Sequence, residues 1–392
     1  MLRKIFFWLH LSAGVLIGIV ILIMSFTGVL LAWQRQGIHW ADHVVIPPPP
    51  DAQQSRLSVE QLLARALKSR RALPTALTIR SDPGEPVAAE YGRESLVYLS
   101  PWTGEVLGEG SRTARHFFRQ VEDWHRWLAA GADSRALGRG ATGLANLLFL
   151  GLLLSGVYLW LPKRWNVHQL RSRLWFQRGP GARARDWNWH HSIGIWCLLP
   201  LSVIVVSGVV MSYPWANELV YKMMSSEVPS QGQAGQGRSG RANLATSVPA
   251  SSSLVNLDRL WARAAKQVAG WKSITLRLPV SPKAPVQFQL DSGDGGRPDL
   301  RAQLTLDRET GEVVRWEPFE SGSPGRRLRT WLRFSHTGEA AGPVGVAIAA
   351  VASLGACFLA YTGMSLAIRR LSRSLVRRSQ RQELPAVEGE RA

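Results

Sequence analysis

Four stretches of the chain carry no Asp, Glu, Lys or Arg: Ile5–Trp33, Ala141–Pro162, Ser192–Asn217 and Ala340–Ala367. Each exceeds the roughly 20 apolar residues that a helix needs to cross about 30 Å of hydrocarbon. The pattern predicts four membrane-spanning helices, separated by two polar stretches of about 105 and about 125 residues, each long enough for a small domain. In the first, Ser58-x-x-Gln61 reads as a capping box that opens a helix to about Ser69. Alternating, β-rich runs follow at Ala76–Arg80, Val87–Tyr91 and Leu96–Leu99, ending in a Thr-Gly turn. In the second, Asn256 is expected to cap a helix to about Val268, with strands at Ile274–Leu278, Val286–Leu290 and Arg301–Leu306. Each polar stretch is thus expected to be one helix followed by a short antiparallel meander. Pro47–Pro50 and Ser230–Ser253 read as linkers, the latter expected to be disordered.

The chain repeats itself. A shift of 180 residues places His10-x-Ser12-x-Gly14 on His190-x-Ser192-x-Gly194, and Gly28 on Gly208. A shift of 207 places Thr103-Gly104-Glu105-Val106 on Thr310-Gly311-Glu312-Val313, Trp124 on Trp331, Gly131 on Gly338, and Ser155-Gly156 on Thr362-Gly363. Several matches at one offset point to an internal duplication of the unit helix, extramembrane domain, helix. Spans 1 and 3 are then counterparts, as are spans 2 and 4.

The formal charge of +19 would suit a nucleic-acid binder, but its distribution argues against one. Arg3 and Lys4 precede the first span. Lys163, Arg164, Arg171, Arg173, Arg178, Arg183 and Arg185 fill the short loop after the second, and Arg369, Arg370, Arg373, Arg377 and Arg378 follow the fourth. Short basic loops and tails stay cytoplasmic, so both termini and the middle loop are expected inside and the two polar domains outside. Trp8, Trp33, Trp124, Trp127, Trp160, Trp189 and Trp215 fall near span ends, as interfacial aromatic belts do. Met1–Met24 has a basic start and an apolar core, but the run is too long for a signal peptide and lacks a small-x-small cleavage site. An uncleaved signal anchor is expected. The only cysteines, Cys197 and Cys357, lie inside spans, and no Cys-x-x-Cys-His occurs, which excludes covalent c-type haem attachment.

The histidines carry the candidate chemistry. His10 and His190 lie at the inner ends of spans 1 and 3, and His125 and His336 lie just before spans 2 and 4 at the outer face. Ionisable residues at membrane depth are costly and face a bundle interior or a cofactor. Zinc wants three or four protein ligands, and no third ligand is evident beside either pair. Haem iron needs only one or two axial ligands, and imidazole serves. His10, Gly14, Gly18, Ser25 and Gly28 recur at three- and four-residue multiples and give span 1 one small-residue face. Such a face admits a flat cofactor, or serves ordinary helix packing in the membrane. His191 adjoins His190 but points about 100° away; the repeat favours His190 and leaves His191 an alternate. The strict shift puts His336 on Ala129 and His125 on Leu332, one turn off, which leaves His116 as a substitute in the outer pair. His39 and His43, four residues apart, can bind a metal weakly or sit as interfacial residues. His168 reads as a loop residue, and Met24, Met211 and Met364 as packing. Arg112, Arg115 and Arg119 precede His125, and Arg326, Arg327, Arg329 and Arg333 precede His336. These can pair haem propionates or an anionic substrate, or form solvated basic faces.

Several motifs resemble the PepSY-associated transmembrane proteins: Trp8-Leu9-His10-Leu11-x-x-Gly14, Asp123-Trp124-His125-Arg126-Trp127-Leu128, Ser155-Gly156-Val157-Tyr158-Leu159-Trp160-Leu161-Pro162 and His336-Thr337-Gly338. The outward domains, each closing with Thr-Gly-Glu-Val, look like PepSY domains. The resemblance implies an integral membrane α-helical bundle of four spans with two periplasmic α+β PepSY-like domains. The expected layout is span 1 at 1–36, domain 1 at 37–115, helix and span 2 at 116–162, and a basic cytoplasmic loop at 163–187. Span 3 follows at 188–217, domain 2 at 218–325 with a linker at 229–253, helix and span 4 at 326–368, and a cytoplasmic tail at 369–392. Family members include iron-regulated bacterial inner-membrane proteins, some resembling periplasm-facing reductases that free iron from ferric siderophores with b-type haems. The expectation that follows is a di-haem b electron conduit: an inner haem on His10 and His190, an outer haem on His125 and His336. Electrons would come from a cytoplasmic donor or quinol, since no flavin or nicotinamide domain is appended, and would pass to a periplasmic ferric chelate. Two other classes stay open: a scaffold or regulator binding periplasmic peptides or proteases, and a metal transporter, which the lack of mid-span carboxylates disfavours.

Overall fold

The computed structural model describes residues 1–46, 55–92, 95–162, 166–177, 181–228, 255–278 and 284–382, with side chains to 373. The expected linkers Pro47–Pro50 and 229–253, and the loop residues Lys163, Arg164 and Arg178, lie outside the described residues. So do the side chains of Arg377 and Arg378. The chain divides into a helical unit (1–32, 120–213, 346–392) and a sheet unit (33–119, 214–345).

The helical unit is built from α1 (Leu2–Ala32), the C-terminal part of α4 (Arg112–Trp127), α5 (Arg135–Trp160), α6 (Val167–Leu174), α7 (Ala182–Trp196), α8 (Leu198–Ser212) and most of α12 (Gly342–Gln382). Three helical segments, Leu2–Ala32, Arg112–Trp160 and Glu339–Arg373, are long and apolar enough to cross a membrane. The bent pair α7–α8 makes a fourth if it counts as one span. Small residues let the helices close: Ala145 packs with Ile17 and Ile21, and Ala352 and Ala356 pack with Leu153, Leu201 and Val205. Leu16, Leu154, Leu199 and Val351 point outward and are at least 65% exposed, a surface suited to hydrocarbon and not to water.

The third apolar run departs from the expected single helix over Ser192–Asn217. It bends by 69° at Cys197 and ends at Ser212. Pro200 explains the bend. A proline ring clashes with the carbonyl four residues earlier and has no N–H to give, so the helix restarts with Pro200 in its first turn, where a missing N–H costs nothing. Pro214 explains the end, because the residue before a proline is pushed into extended geometry, as Tyr213 is (φ −117°, ψ 126°). At the other extreme, α12 continues as helix to Gln382, well past the expected end of the fourth span.

The sheet unit contains α2 (Gln34–Val45), α3 (Val59–Arg70), β1 (Ala76–Arg80), β2 (Val87–Tyr91), β3 (Ser95–Leu99), β4 (Val106–Glu109) and the start of α4. It continues with α9 (Pro214–Met223), α10 (Leu257–Gln267), β5 (Ser273–Arg277), β6 (Val286–Asp291), β7 (Arg301–Leu306), β8 (Val313–Pro318) and α11 (Pro324–His336). The two expected meanders are present, each with a fourth strand after its Thr-Gly turn. Gly104 (φ 68°) and Gly311 (φ 72°) take the left-handed conformation those turns require. The meanders are not separate domains. They join into one antiparallel eight-stranded sheet, β4-β3-β2-β1-β5-β6-β7-β8. Alone, each meander would leave β1 or β5 as an unpaired edge; pairing the two edges removes both.

The join has local two-fold character. Thr78 faces Thr275 at its centre, Oγ1 to Oγ1 2.8 Å, with Leu77↔Leu276 and Ile79↔Ile274 on either side. Above it, Glu60 N–H donates to Asp258 Oδ1 (3.0 Å) and Asp258 N–H to Glu60 Oε1 (3.3 Å). Ser58 and Gln61 form the expected capping box on α3. Asn256 does not cap α10: it is left-handed (φ 66°) with no side-chain bond, and Glu60 of the other repeat serves the first turn instead. One core runs under both halves, with Leu62, Leu63, Leu77, Leu99, Leu257, Leu260, Ile274, Leu276, Phe288, Leu290 and Leu304 all essentially inaccessible.

Candidate functional site

Three histidines of the helical unit meet hydroxyls in the same manner. His10 Nδ1 lies 2.9 Å from Ser155 Oγ, His190 Nδ1 3.0 Å from Thr362 Oγ1, and His125 Nδ1 3.0 Å from Thr27 Oγ1. Each hydroxyl spends its one proton on the carbonyl a turn back in its own helix, Gly151, Phe358 and Ile23, in every case at 2.7 Å. A hydroxyl has a single proton and otherwise accepts. Toward the imidazole it therefore accepts, which puts the hydrogen on Nδ1 and makes Nε2 the nitrogen that carries the lone pair.

A glycine follows each of these hydroxyls and makes room for the ring. A Cβ at Gly156 would stand 3.4 Å from His10 Cε1, one at Gly363 3.3 Å from His190 Cε1, and one at Gly28 3.6 Å from His125 Cε1. The repeat supplies a fourth hydroxyl-glycine dipeptide, Ser207-Gly208, equivalent to Thr27-Gly28. Ser207 is fully buried and donates to Val203 O at 2.6 Å. The small face foreseen on α1 packs against α12: Met364 covers Gly18 as a packing residue, Ser353 faces Gly28, and Gly14 has open space beside it.

His10 and His190 face one another with ring centroids 6.4 Å apart and planes at 87°. A centroid lies about 1.1 Å behind its Nε2 and metal–imidazole bonds run about 2.0–2.1 Å, so one metal held between two Nε2 atoms separates the centroids by about 6.3 Å. That spacing would allow His10 and His190 to hold one metal ion if both Nε2 atoms turn toward it. The His191 ring also stands 6.3 Å from that of His190, but among the described residues no third ligand atom joins the two in a three-residue metal cluster. His191 turns aside: its Nδ1 binds Trp187 O at 2.8 Å and its ring lies 4.1 Å from the Trp187 ring. His125 belongs to the helical unit and His336 closes α11 in the sheet unit. His116 is exposed on α4, and His168 is exposed on α6 and not in a loop.

Several of the arginines foreseen as anion partners have protein partners. Arg112 pairs with Glu109, Arg326 lies 3.8 Å from Glu317, and Arg329 Nε donates to Asn217 Oδ1 at 2.8 Å. Arg333 lies over Phe334, Arg327 is half-buried and Arg119 is exposed. Arg115 is structural. Its guanidinium grips buried Asp42 through Nη1–Oδ1 (2.7 Å) and Nη2–Oδ2 (2.5 Å), and Tyr98 Oη and Ser111 N–H donate to the same carboxylate at 2.8 and 2.7 Å. Burial pushes the Asp42 carboxyl up, but the bonds from Arg115, Tyr98 and Ser111 together outweigh it and hold the group below its ordinary value. A depressed folded value means stability that is present above the unfolded carboxylate range and lost as pH falls through the folded one. Asp42→Asn is expected to cost about 3–5 kcal/mol by stranding Arg115. The thermal midpoint of the full chain in detergent should fall at neutral pH and lose part of its acid dependence; an unchanged acid profile would contradict this.

Sequence reasoning missed the basic end of the helical unit near His10. Arg3, two turns before His10 on α1, donates to Leu159 O (2.7 Å) and Leu161 O (3.0 Å), and Arg173 donates to Trp160 O. Arg370 stacks on Phe7 and Trp8 at 4.7 and 5.1 Å. On the same turn of α5, Trp160 Nε1 is buried without an acceptor. Two guanidiniums and an unspent indole N–H around the end of α5 suit a carboxylate.

The fold and these sites define a membrane protein with duplicated histidine–hydroxyl–glycine pairs across its helices. The family described as PepSY-associated TM region matches residues 7–370, and the chain belongs to that family. No curated protein matches the chain.

Proposed function

We propose that this protein is a transmembrane electron conduit that holds b-type haem and reduces a ferric chelate outside the bacterial cytoplasmic membrane, releasing Fe(II). The observation that carries this reading is the His10–His190 pair, with rings 6.4 Å apart and both Nε2 atoms left free by Ser155 and Thr362. Haem bound there supplies one-electron redox chemistry. The chain's own part is to fix the ligands. Ser155 and Thr362 lock the tautomer and ring angle, Gly156 and Gly363 admit the rings, and Arg3, Arg173 and Trp160 offer donors to a propionate. For an outer haem, the expected ligands are His125, whose Nδ1 meets Thr27 Oγ1, and His336.

Each Fe(III) takes one electron from an external reductant, a quinol or a cytoplasmic donor. Fe(II) is held less tightly by hard oxygen donors and leaves the chelate. No general base or nucleophile is required. The basic segments put both termini and the middle loop inside, with the sheet unit on the acceptor side. The test is an oxidised-minus-dithionite-reduced spectrum of the detergent-purified chain, with pyridine haemochrome quantitation. About two b-type haems per chain are expected. A colourless protein made with ample haem supply would overturn the reading and favour a scaffold. A haem-loaded protein that no ferric chelate oxidises would remove the substrate and leave the conduit.

A further inference from the structure

Away from the haem candidates, one cluster of metal-ligating side chains lies in the sheet unit. His39 and His43 sit one turn apart on α2, and Glu85 comes from the loop between β1 and β2. One nitrogen of each histidine and one oxygen of Glu85 lie within 4.8 Å of one another. His43 Nε2 stands 3.4 Å and His39 Nε2 4.0 Å from the same oxygen, Glu85 Oε1. Ligands about 2.1 Å from a shared metal are roughly 3.0–3.4 Å apart at neighbouring vertices of an octahedron or tetrahedron. The three atoms are therefore within a few tenths of an ångström to somewhat over one of a coordinating arrangement, a change that side-chain rotation supplies.

Two further features prepare the site. His43 Nδ1 donates to His39 O at 3.0 Å. A carbonyl can only accept, so the hydrogen is on Nδ1 and Nε2 is free, as in the backbone-oriented histidines of metal sites. Arg80 Nε lies 3.9 Å from the other Glu85 oxygen, Oε2, and leaves Oε1 to the histidines. The side chains of His39 and His43 are about half exposed, at 48% and 49%, so water can fill the remaining coordination positions.

We propose that His39, His43 and Glu85 form a binding site for a divalent first-row transition-metal ion. Two imidazoles and one carboxylate suit Fe(II), Zn(II) or Co(II), while Fe(III) favours hard oxygen donors. If the ferric-reductase reading holds, its Fe(II) product is one of the ions the site accepts, and its Fe(III) substrate is not. The site itself does not depend on that reading. The competing occupant of the same geometry is a proton: charged His43 paired with Glu85 and no metal.

The experiment is calorimetric titration of the full chain in detergent with Zn(II), then with Fe(II) under anaerobic conditions. It compares the native protein with His39→Ala/His43→Ala and with Glu85→Gln. The native chain should bind one more equivalent than the double variant, and Glu85→Gln should weaken that equivalent by about tenfold or more. The half-exposed histidines carry no core contacts, so the variants should keep the native haem spectrum and melting curve. Equal stoichiometry and affinity in native and double-variant protein would overturn the proposal, whether or not the protein reduces ferric chelates. Loss of ferric reduction with the extra metal equivalent intact would sink the function and leave the site.

Discussion

His190→Ala is expected to remove one haem per chain, leaving about half the native haemochrome absorbance, and His10→Ala should do the same. The two rings lie 6.4 Å apart, so if His10 and His190 hold one iron, removing either would leave it a single histidine ligand. His191→Ala is the comparison, since the His191 ring packs against the Trp187 ring at 4.1 Å. It should keep the native haem content. A graded form of the test leaves both ligands in place: Thr362→Val removes the hydroxyl that fixes the His190 tautomer and keeps nearly the same volume. Outer-sphere partners of ligating histidines are worth about 10–100-fold in metal affinity. The variant should bind haem more weakly, with a shifted reduction potential and altered low-temperature electron paramagnetic resonance signals. Full haem in His10→Ala and His190→Ala would mean that neither histidine ligates.

The features that could be read from the sequence are those set by local periodicity. Apolar runs without charge gave the long helices, and the alternation at Ala76–Arg80, Val87–Tyr91, Val286–Leu290 and Arg301–Leu306 marked strands with one buried face. Ser58 and Gln61 announced their capping box because both partners lie within one turn. The fourth strand of each meander escaped notice for a physical reason. β4 and β8 are the outer edges of the sheet, none of their residues is buried, and an edge strand need not alternate. Asn256 misled because the residue that serves its helix, Glu60, comes from the other repeat and leaves no local signature. The fusion of the two meanders through β1 and β5 depends on long-range pairing of two strands that each look complete alone. The histidine pair His10 and His190 was visible through the repeat. The hydroxyls that orient the rings were not assigned, although the signal was present: Thr27-Gly28, Ser155-Gly156, Ser207-Gly208 and Thr362-Gly363 recur through the apolar runs, the second of which also carries Thr142-Gly143.

Those dipeptides separate helix stability from cofactor binding. Gly363 lies inside α12, where glycine is a poor helix former, and replacing it with leucine should favour the helix by somewhat less than the roughly 0.8–1 kcal/mol that separates glycine from alanine. Gly363→Leu should nevertheless lose the inner haem. A Cβ there already stands 3.3 Å from His190 Cε1 and 3.8 Å from His190 Nδ1, and a leucine adds three more carbons beyond it. The His190 ring is expected to move away from Thr362, which weakens their hydrogen bond and shifts its Nε2. Gly156→Leu should act the same way on His10 from the other repeat, because its Cβ would stand 3.4 Å from His10 Cε1. Gly14→Ala offers the contrast on α1, since a Cβ there meets nothing within 4 Å. The decisive measurement pairs haemochrome content with circular-dichroism melting on the same samples. Haem loss with helix content retained is the expected result for both leucine variants. Retained haem in Gly363→Leu would mean that His190 need not hold its observed ring position, and the steric role of the glycine would fall.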